Sequence, residues 1–257
     1  MIYLLENFRR INRDAALRIF REEFEKLTKD LSVDLHNIGF DKYGWVYVDF
    51  SGADSEVLAE IFKRKYGIAK TDISELKEGD NIRGIVVDST VGYGIYVDIC
   101  LRSSSQTDAL YPLHAMRSQL ADGEKVSVRE ISKRFCLQEG FPIEVRVTGI
   151  DMGSRKIDVE LSDRQVSYFN DWIRFPFDRV ILIGCSRGDL EDAVERSGLR
   201  RDMADIESPS LTAHALICKL GTDAPGVISS IGPHLKGISA RAFQPGISRT
   251  TKQMIKA

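Results

Sequence analysis

The sequence predicts an α+β protein: a central five-stranded β-barrel flanked by two smaller α+β units. Residues 79–98 and 141–162 alternate apolar and polar side chains with glycine at the corners, the mark of half-buried strands. The chain on either side switches between short apolar runs and helical periodicity, and it does so in the same order before and after the barrel.

In the N-terminal segment, residues 1–75, Met1 to Phe8 forms a short strand. Leu17, Phe20, Phe24, Leu27 and Leu31 then recur at helical spacing. Val33, Leu35 and Ile38 start a second strand, and Trp45 to Phe50 makes a third across the turn at Asp41-Lys42-Tyr43-Gly44. Val57, Leu58, Ile61 and Phe62 line a helix after Asp54-Ser55. This split β-α-β order is ferredoxin-like, and its phenylalanine stripe is core.

The barrel segment, residues 76–163, opens with Ile82, Ile85, Val86 and Val87, bends through Gly92 and Gly94, and continues with Tyr93, Ile95 and Val97 alternating against Gly94, Tyr96 and Asp98. Tyr93 and Tyr96 are three apart, so regular alternation sends them to opposite faces unless a bulge intervenes. Ile143 to Asp151 alternates again, turns through Met152-Gly153-Ser154, and returns as Ile157, Val159 and Leu161. Such strands suit an OB-type barrel. Pro112 to Gly140 is a long excursion between strands. Within it, Ser127-Val128-Arg129-Glu130 is a capping box that opens a helix to about Gln138, and Ser162-Asp163-Arg164-Gln165 opens another through Trp172.

The C-terminal segment, residues 164–245, carries a buried strand at Val180-Ile181-Leu182-Ile183 and a helix capped by Ser186 and ended by Gly198. Met203 to Glu207 and Ala213 to Leu220 supply two strands, Pro225 sits in the first turn of the next helix, and Ile238 to Phe243 closes a second ferredoxin-like unit. Residues 246–257 are expected to be a disordered basic tail, with Arg249, Lys252 and Lys256 and no acidic residue from Lys236 onward.

Leu76 to Ser162 resembles the RNA-binding OB-fold repeat of ribosomal protein S-one. The resemblance rests on Gly79 and Gly84, on Tyr93-Gly94-Ile95-Tyr96-Val97, on a turn at Ala109-Leu110, and on Val147-Thr148-Gly149-Ile150-Asp151 with Leu161-Ser162. It implies single-stranded RNA contact by Tyr93 and Tyr96. The histidine of the pattern is replaced by Pro112, and Arg155-Lys156 lie two residues before the usual basic position, nearer which stands Asp158. A tyrosine face stacks on any base, at about 1–3 kcal/mol per base, while neighbouring cations track phosphate. The candidate contacts are thus Tyr93, Tyr96, Arg83, Arg155 and Lys156, with Arg129, Lys133 and Arg134 of the excursion as phosphate neighbours. The three-part layout is similar to that of a small archaeal family, which supplies no activity to carry over.

Net charge is −2 overall, and −2, −3 and +3 for residues 1–75, 76–163 and 164–257. Because phosphate contacts dominate nucleic-acid affinity, an acidic barrel binds RNA weakly unless its cations cluster on one face. The early charge in Met1 to Glu6 argues against a secretory signal and no apolar run suits a membrane span, so a cytoplasmic location is expected. Cys100, Cys136, Cys185 and Cys218 have neither zinc nor disulfide spacing, and His36, His114, His214 and His234 have no ligand-spaced partners, so no metal or cofactor is expected. Gly184-Cys185-Ser186-Arg187-Gly188 sits between strand and helix, where backbone N–H groups can hold an anion, but it lacks the phosphate-loop ending. A nucleophilic Cys185 would have no visible base.

These features predict a non-catalytic RNA-binding protein of RNA metabolism, translation or transcription, partnered by single-stranded or structured RNA and by complexes of that machinery. The rival is a protein-interaction adaptor, favoured by the acidity of the barrel. A remote third is an RNA-processing enzyme built on the Cys185 loop.

Overall fold

The N-terminal unit runs β1 (Ile2–Asn7), α1 (Arg13–Thr28), β2 (Asp34–Phe40), β3 (Trp45–Ser51) and α2 (Ser55–Lys65). A computed structural model describes residues 1–102 and 108–248. The three strands form an antiparallel sheet in the order β1-β3-β2, and Ile68 adds a single antiparallel bridge to Leu4 on the outer side of β1. The fourth strand of a βαββαβ unit is thereby reduced to one rung. Asn12 caps α1 by accepting from the Asp14 N–H, and Phe20, Phe24 and Phe62 pack between helices and sheet with Leu4, Val46 and Val48.

The barrel consists of β4 (Asn81–Asp88), β5 (Gly94–Asp98), β6 (Ala109–Pro112), β7 (Pro142–Asp151) and β8 (Lys156–Leu161), closed in the order β4-β5-β6-β8-β7. Among the described residues of the barrel, β6–β8 is the one parallel pair. Ala109 and Leu110, read from sequence as a turn, begin strand β6. The excursion holds two helices, α3 (Leu113–Leu120), which the sequence reading lacked, and α4 (Val128–Arg134). The latter stops four residues before the expected Gln138, because Cys136 adopts a left-handed φ of 55° that no helix continues through.

α5 (Asp163–Arg174) leads into β9 (Arg179–Ile183), α6 (Arg187–Arg196), β10 (Met203–Glu207), β11 (Ala213–Cys218), α7 (Ala224–Ile231) and β12 (Ser239–Phe243). The sheet order β10-β11-β9-β12 is a complete ferredoxin-like arrangement, fully antiparallel. A helical turn, α8 (Pro245–Ser248), follows; it takes up the first residues of the expected tail, and Arg249, Lys252 and Lys256 lie outside the described residues.

Both terminal sheets turn one face to their own helices and the other toward the barrel. In the C-terminal unit, Val180, Leu182 and Leu216 face α6 and α7, whereas Ile181, Ile183, Ala213, Ala215 and Phe243 belong to the same core as the barrel strands. Trp172 of α5 seals this join, its ring 5.0 Å from Phe243 and 5.6 Å from Phe169. The N-terminal unit touches the barrel through a smaller cluster of Trp45, Ile85 and Cys100. It also meets the C-terminal unit: Glu6 accepts the Leu211 N–H at 3.0 Å, the Thr212 hydroxyl donates to the Asn7 carbonyl at 3.2 Å, and Arg10 pairs with Glu139 at the barrel's edge.

Candidate nucleic-acid interface

The barrel's outer surface carries one aromatic feature. Tyr93 ends the turn that precedes β5 and is 56 % exposed, whereas Tyr96 points outward from the middle of β5 and is half-buried. Their hydroxyls lie 2.9 Å apart, their ring centroids 6.3 Å apart and their planes at 89°. The contact is tip to tip rather than tip to ring centre, so the two rings form the walls of a corner. Tyr93 precedes the strand, which is why alternation does not force it to the opposite face. The Leu113 N–H donates to its carbonyl at 2.8 Å and ties the turn to the start of α3. Gly94 is required beside it: a Cβ there would sit 2.5 Å from the Tyr111 carbonyl oxygen.

A bulge in β4 decides what lies next to the corner. Val86 pairs with Val97 but Asp88 pairs with Tyr96, leaving Val87 as the extra residue. Tyr96 also pairs with Leu110, which pairs with Asp158. Side chains of directly opposed residues share a face, so Asp88, Tyr96, Leu110 and Asp158 form one row across four strands, about 14 Å long at the usual strand spacing. The Tyr93 hydroxyl, slight burial and the carboxylates of Asp108 and Asp88 together raise the Tyr96 phenol above its ordinary pKa. The surroundings of the corner are acidic.

The cations singled out from sequence do not gather there. Arg83 donates to the Lys65 carbonyl at 2.7 Å, where it satisfies the last residue of α2. Arg155 occupies the β7–β8 turn with φ 53° and lies 3.7 Å from Asp72. Arg134 is held on α4 by Glu130 and Glu124. Arg129 and Lys133 are exposed on the same helix, which packs toward the C-terminal unit through the following Phe135, 6.4 Å from Phe243. Lys156 is exposed on the outer face of β8, two residues from Asp158, and pairs across the ladder with Asp151. Of the eight residues, the structure brings together Tyr93 and Tyr96. Sequence reading missed Asp88 and Leu110 as neighbours because a bulge leaves no mark in the hydrophobic pattern, and it took Asp158 only as a departure from the family's basic position.

A second feature lies where the three units meet. A cleft of about 450 Å³ is lined by Glu6, Arg83, Glu144, Arg164, Tyr168 and Glu207, among others. Glu6 is buried, and burial pushes its carboxyl up to about 7 despite the Leu211 N–H and the nearby Arg83. Asp98, also buried, accepts from the Trp45 indole N–H at 2.9 Å and from the Cys100 N–H at 2.8 Å, and burial raises its pKa.

The glycine-rich loops are occupied by the protein's own carboxylates. Ser186 and Asp189 form a reciprocal capping box at the start of α6, and Asp223 accepts from the Gly226 N–H at 2.8 Å at the start of α7. Cys185 is buried and its thiol is pushed up to about 12, so the loop presents no thiolate. His214 is buried with its Nε2 at 3.1 Å from the Cys185 carbonyl, which makes that nitrogen the donor. Its Nδ1 then accepts from the Ser208 hydroxyl at 2.9 Å, and burial lowers its pKa to about 4. All four cysteines are buried. Among the described residues no cluster of His, Cys, Asp or Glu is placed to hold a metal, and no helix is long and apolar enough to cross a membrane.

Sequence comparison matches the N-terminal, central and C-terminal domains of DUF2110 over residues 1–72, 76–173 and 177–242. The chain belongs to the DUF2110 family. No curated protein matches it significantly. Among solved structures, it is similar to the MJ1198 protein of Methanocaldococcus jannaschii, with 17 % identity over 34 % of this chain and 95 % of that one and a TM-score of 0.24. It is also similar to a chain of the a/eIF2alpha-aDim2p-rRNA complex of Pyrococcus horikoshii OT3, with 18 % identity, 48 % and 64 % coverage and a TM-score of 0.26. A third is the intact alpha subunit of aIF2 from Pyrococcus abyssi, with 10 % identity, 65 % and 96 % coverage and a TM-score of 0.24.

Proposed function

We propose that this DUF2110 chain is a cytoplasmic, non-catalytic RNA-binding protein of RNA metabolism, translation or transcription, in which the barrel stacks the bases of single-stranded RNA on Tyr93 and Tyr96. The observation that carries the reading is the exposed corner of two perpendicular tyrosine rings on the outer face of a closed OB-type barrel. Stacking needs only ring faces and tolerates any base. Lys156, exposed on the same face of β8, and Arg129 and Lys133 on α4 supply the phosphate contacts in this reading. Arg83, Arg155 and Arg134 contribute through the barrel's framework, since each already holds a partner. A second reading, docking of a basic protein surface, is favoured by one specific observation: the corner is bordered by Asp88 and Asp158.

Fluorescence anisotropy with labelled single-stranded RNA tests the proposal. The full chain is expected to bind at low salt, to weaken as ionic strength rises, and to lose binding in the Tyr93→Ala/Tyr96→Ala double variant. Failure of the unmodified chain to bind RNA at low salt, with an oligoarginine peptide binding instead, transfers the function to the second reading.

A further inference from the structure

We infer that the barrel selects bases that carry an exocyclic amino group, adenine, cytosine and guanine, over uracil, and that Asp158 and Asp88 are the specificity-determining residues. The inference rests on the RNA-binding reading and names the substrate class of that same face. A base stacked in the tyrosine corner lies against the row Asp88, Tyr96, Leu110, Asp158. Because the two rings stand at 89°, one flat face stacks on a single tyrosine while the other ring meets the base's rim. Its edge meets Asp88 when the base lies on one side of Tyr96 and Asp158 when it lies over Leu110 on the other. An ionised carboxylate only accepts hydrogen bonds. It pairs with the amino group of cytosine or adenine, or with the adjacent imino and amino groups of guanine. The Watson–Crick edge of uracil presents two carbonyl oxygens around a single N–H, and those oxygens face the carboxylates with like charge.

Both carboxylates are available in chemical terms. Asp158 is exposed, and among the described residues its side chain forms no hydrogen bond or ion pair. Asp88 receives the N–H and hydroxyl of Thr90 on one oxygen, Oδ1, at 2.7 Å each, which fixes its orientation and leaves Oδ2 for a ligand. The bulge at Val87 is what aligns Asp88 with Tyr96; regular pairing would have placed the valine there. An aromatic surface bordered this way earns its energy from the base rather than from phosphate, which accounts for a binding face on a segment of net charge −3.

The test uses the full chain and fluorescently labelled hexaadenosine, hexacytidine and hexauridine at low salt. Hexaadenosine and hexacytidine are expected to bind about tenfold or more tightly than hexauridine, the discrimination of one good base-edge contact. Asp158→Asn replaces an acceptor-only group by one that also donates, and it should narrow this ratio by raising hexauridine affinity. Asp88→Asn keeps an oxygen for Thr90 and should do the same more weakly. Equal affinity for the three hexamers overturns the base-selection inference while leaving RNA binding intact, as does a ratio unchanged in both variants. Absence of binding to all three overturns the RNA reading and the inference with it.

Discussion

The two terminal units share one strand order but are joined to the barrel in different ways. In the C-terminal unit the closing strand β12 makes a five-residue ladder with β9, and the inner face of the sheet merges with the barrel core. In the N-terminal unit the corresponding strand is the single bridge between Leu4 and Ile68, and the apolar join to the barrel is the small cluster around Trp45. A shared core makes two units one cooperative body, whereas a small seam lets a unit open by itself. The barrel and C-terminal unit should therefore unfold together, with the N-terminal unit as the more independent part. The chain has two tryptophans, Trp45 on the N-terminal side and Trp172 on the other, so Trp→Phe single variants give a separate fluorescence report from each.

The largest effect is expected from Phe243→Ala, which empties a fully buried site between Trp172 and Phe135 and should cost about 3–5 kcal/mol. In urea titrations the Trp172 transition should move strongly and the Trp45 transition little; equal shifts in both would merge the units into one. Next is pH. The Glu6 carboxyl titrates near 7 in the folded chain against 4.5 ordinarily, so between those values the native state holds the extra proton. Its contribution is full below about pH 4.5 and is lost as pH rises through about 7, amounting to as much as about 3 kcal/mol. His214 works in the opposite sense, because its lowered pKa costs stability as pH falls from 6.5 toward 4. The readout is thus the difference between the unmodified chain and Glu6→Gln. The variant should gain Tm relative to the unmodified chain on going from pH 5 to pH 8, and parallel melting curves would remove Glu6 from the account. The smallest of the three is Trp45→Phe, which leaves the buried Asp98 short of a donor and should cost about 1–3 kcal/mol. The effect should be less than additive with Asp98→Asn, and strict additivity would mean that this bond does not hold the seam.

Sequence made the architecture readable where a local signal and the global fold agree. Ser162 and Ser186 cap helices where their spacing predicts, and the alternation around Val145 and Val159 gives the closing strands. α3 escaped because it begins after Pro112 with no side-chain cap, and the fourth N-terminal strand because one rung has no periodicity. Of the candidate contacts, the sequence put Tyr93 and Tyr96 on one stretch of the barrel, where the fold brings them together, but it did not show where the cations go. Arg83 and Arg155 look like surface cations until the folded chain supplies the Lys65 carbonyl and Asp72 as partners. Glu6 reads as an ordinary strand carboxylate because its burial depends on a loop about two hundred residues away, as its bond to Leu211 shows.

The four enclosed sulfurs give the molecule a built-in set of local opening reporters. A thiol raised to about 12, as at Cys136 and Cys185, or to about 11, as at Cys218, is almost entirely protonated at neutral pH and shielded from alkylating reagents. Its labelling rate then measures how often its surroundings part. Cys100 sits in the seam beside Trp45, Cys136 donates to the Ala242 carbonyl between barrel and β12, and Cys185 and Cys218 lie within the C-terminal unit. Mass spectrometry after timed alkylation would read these doors one by one, and the order in which they open is the order in which the protein comes apart.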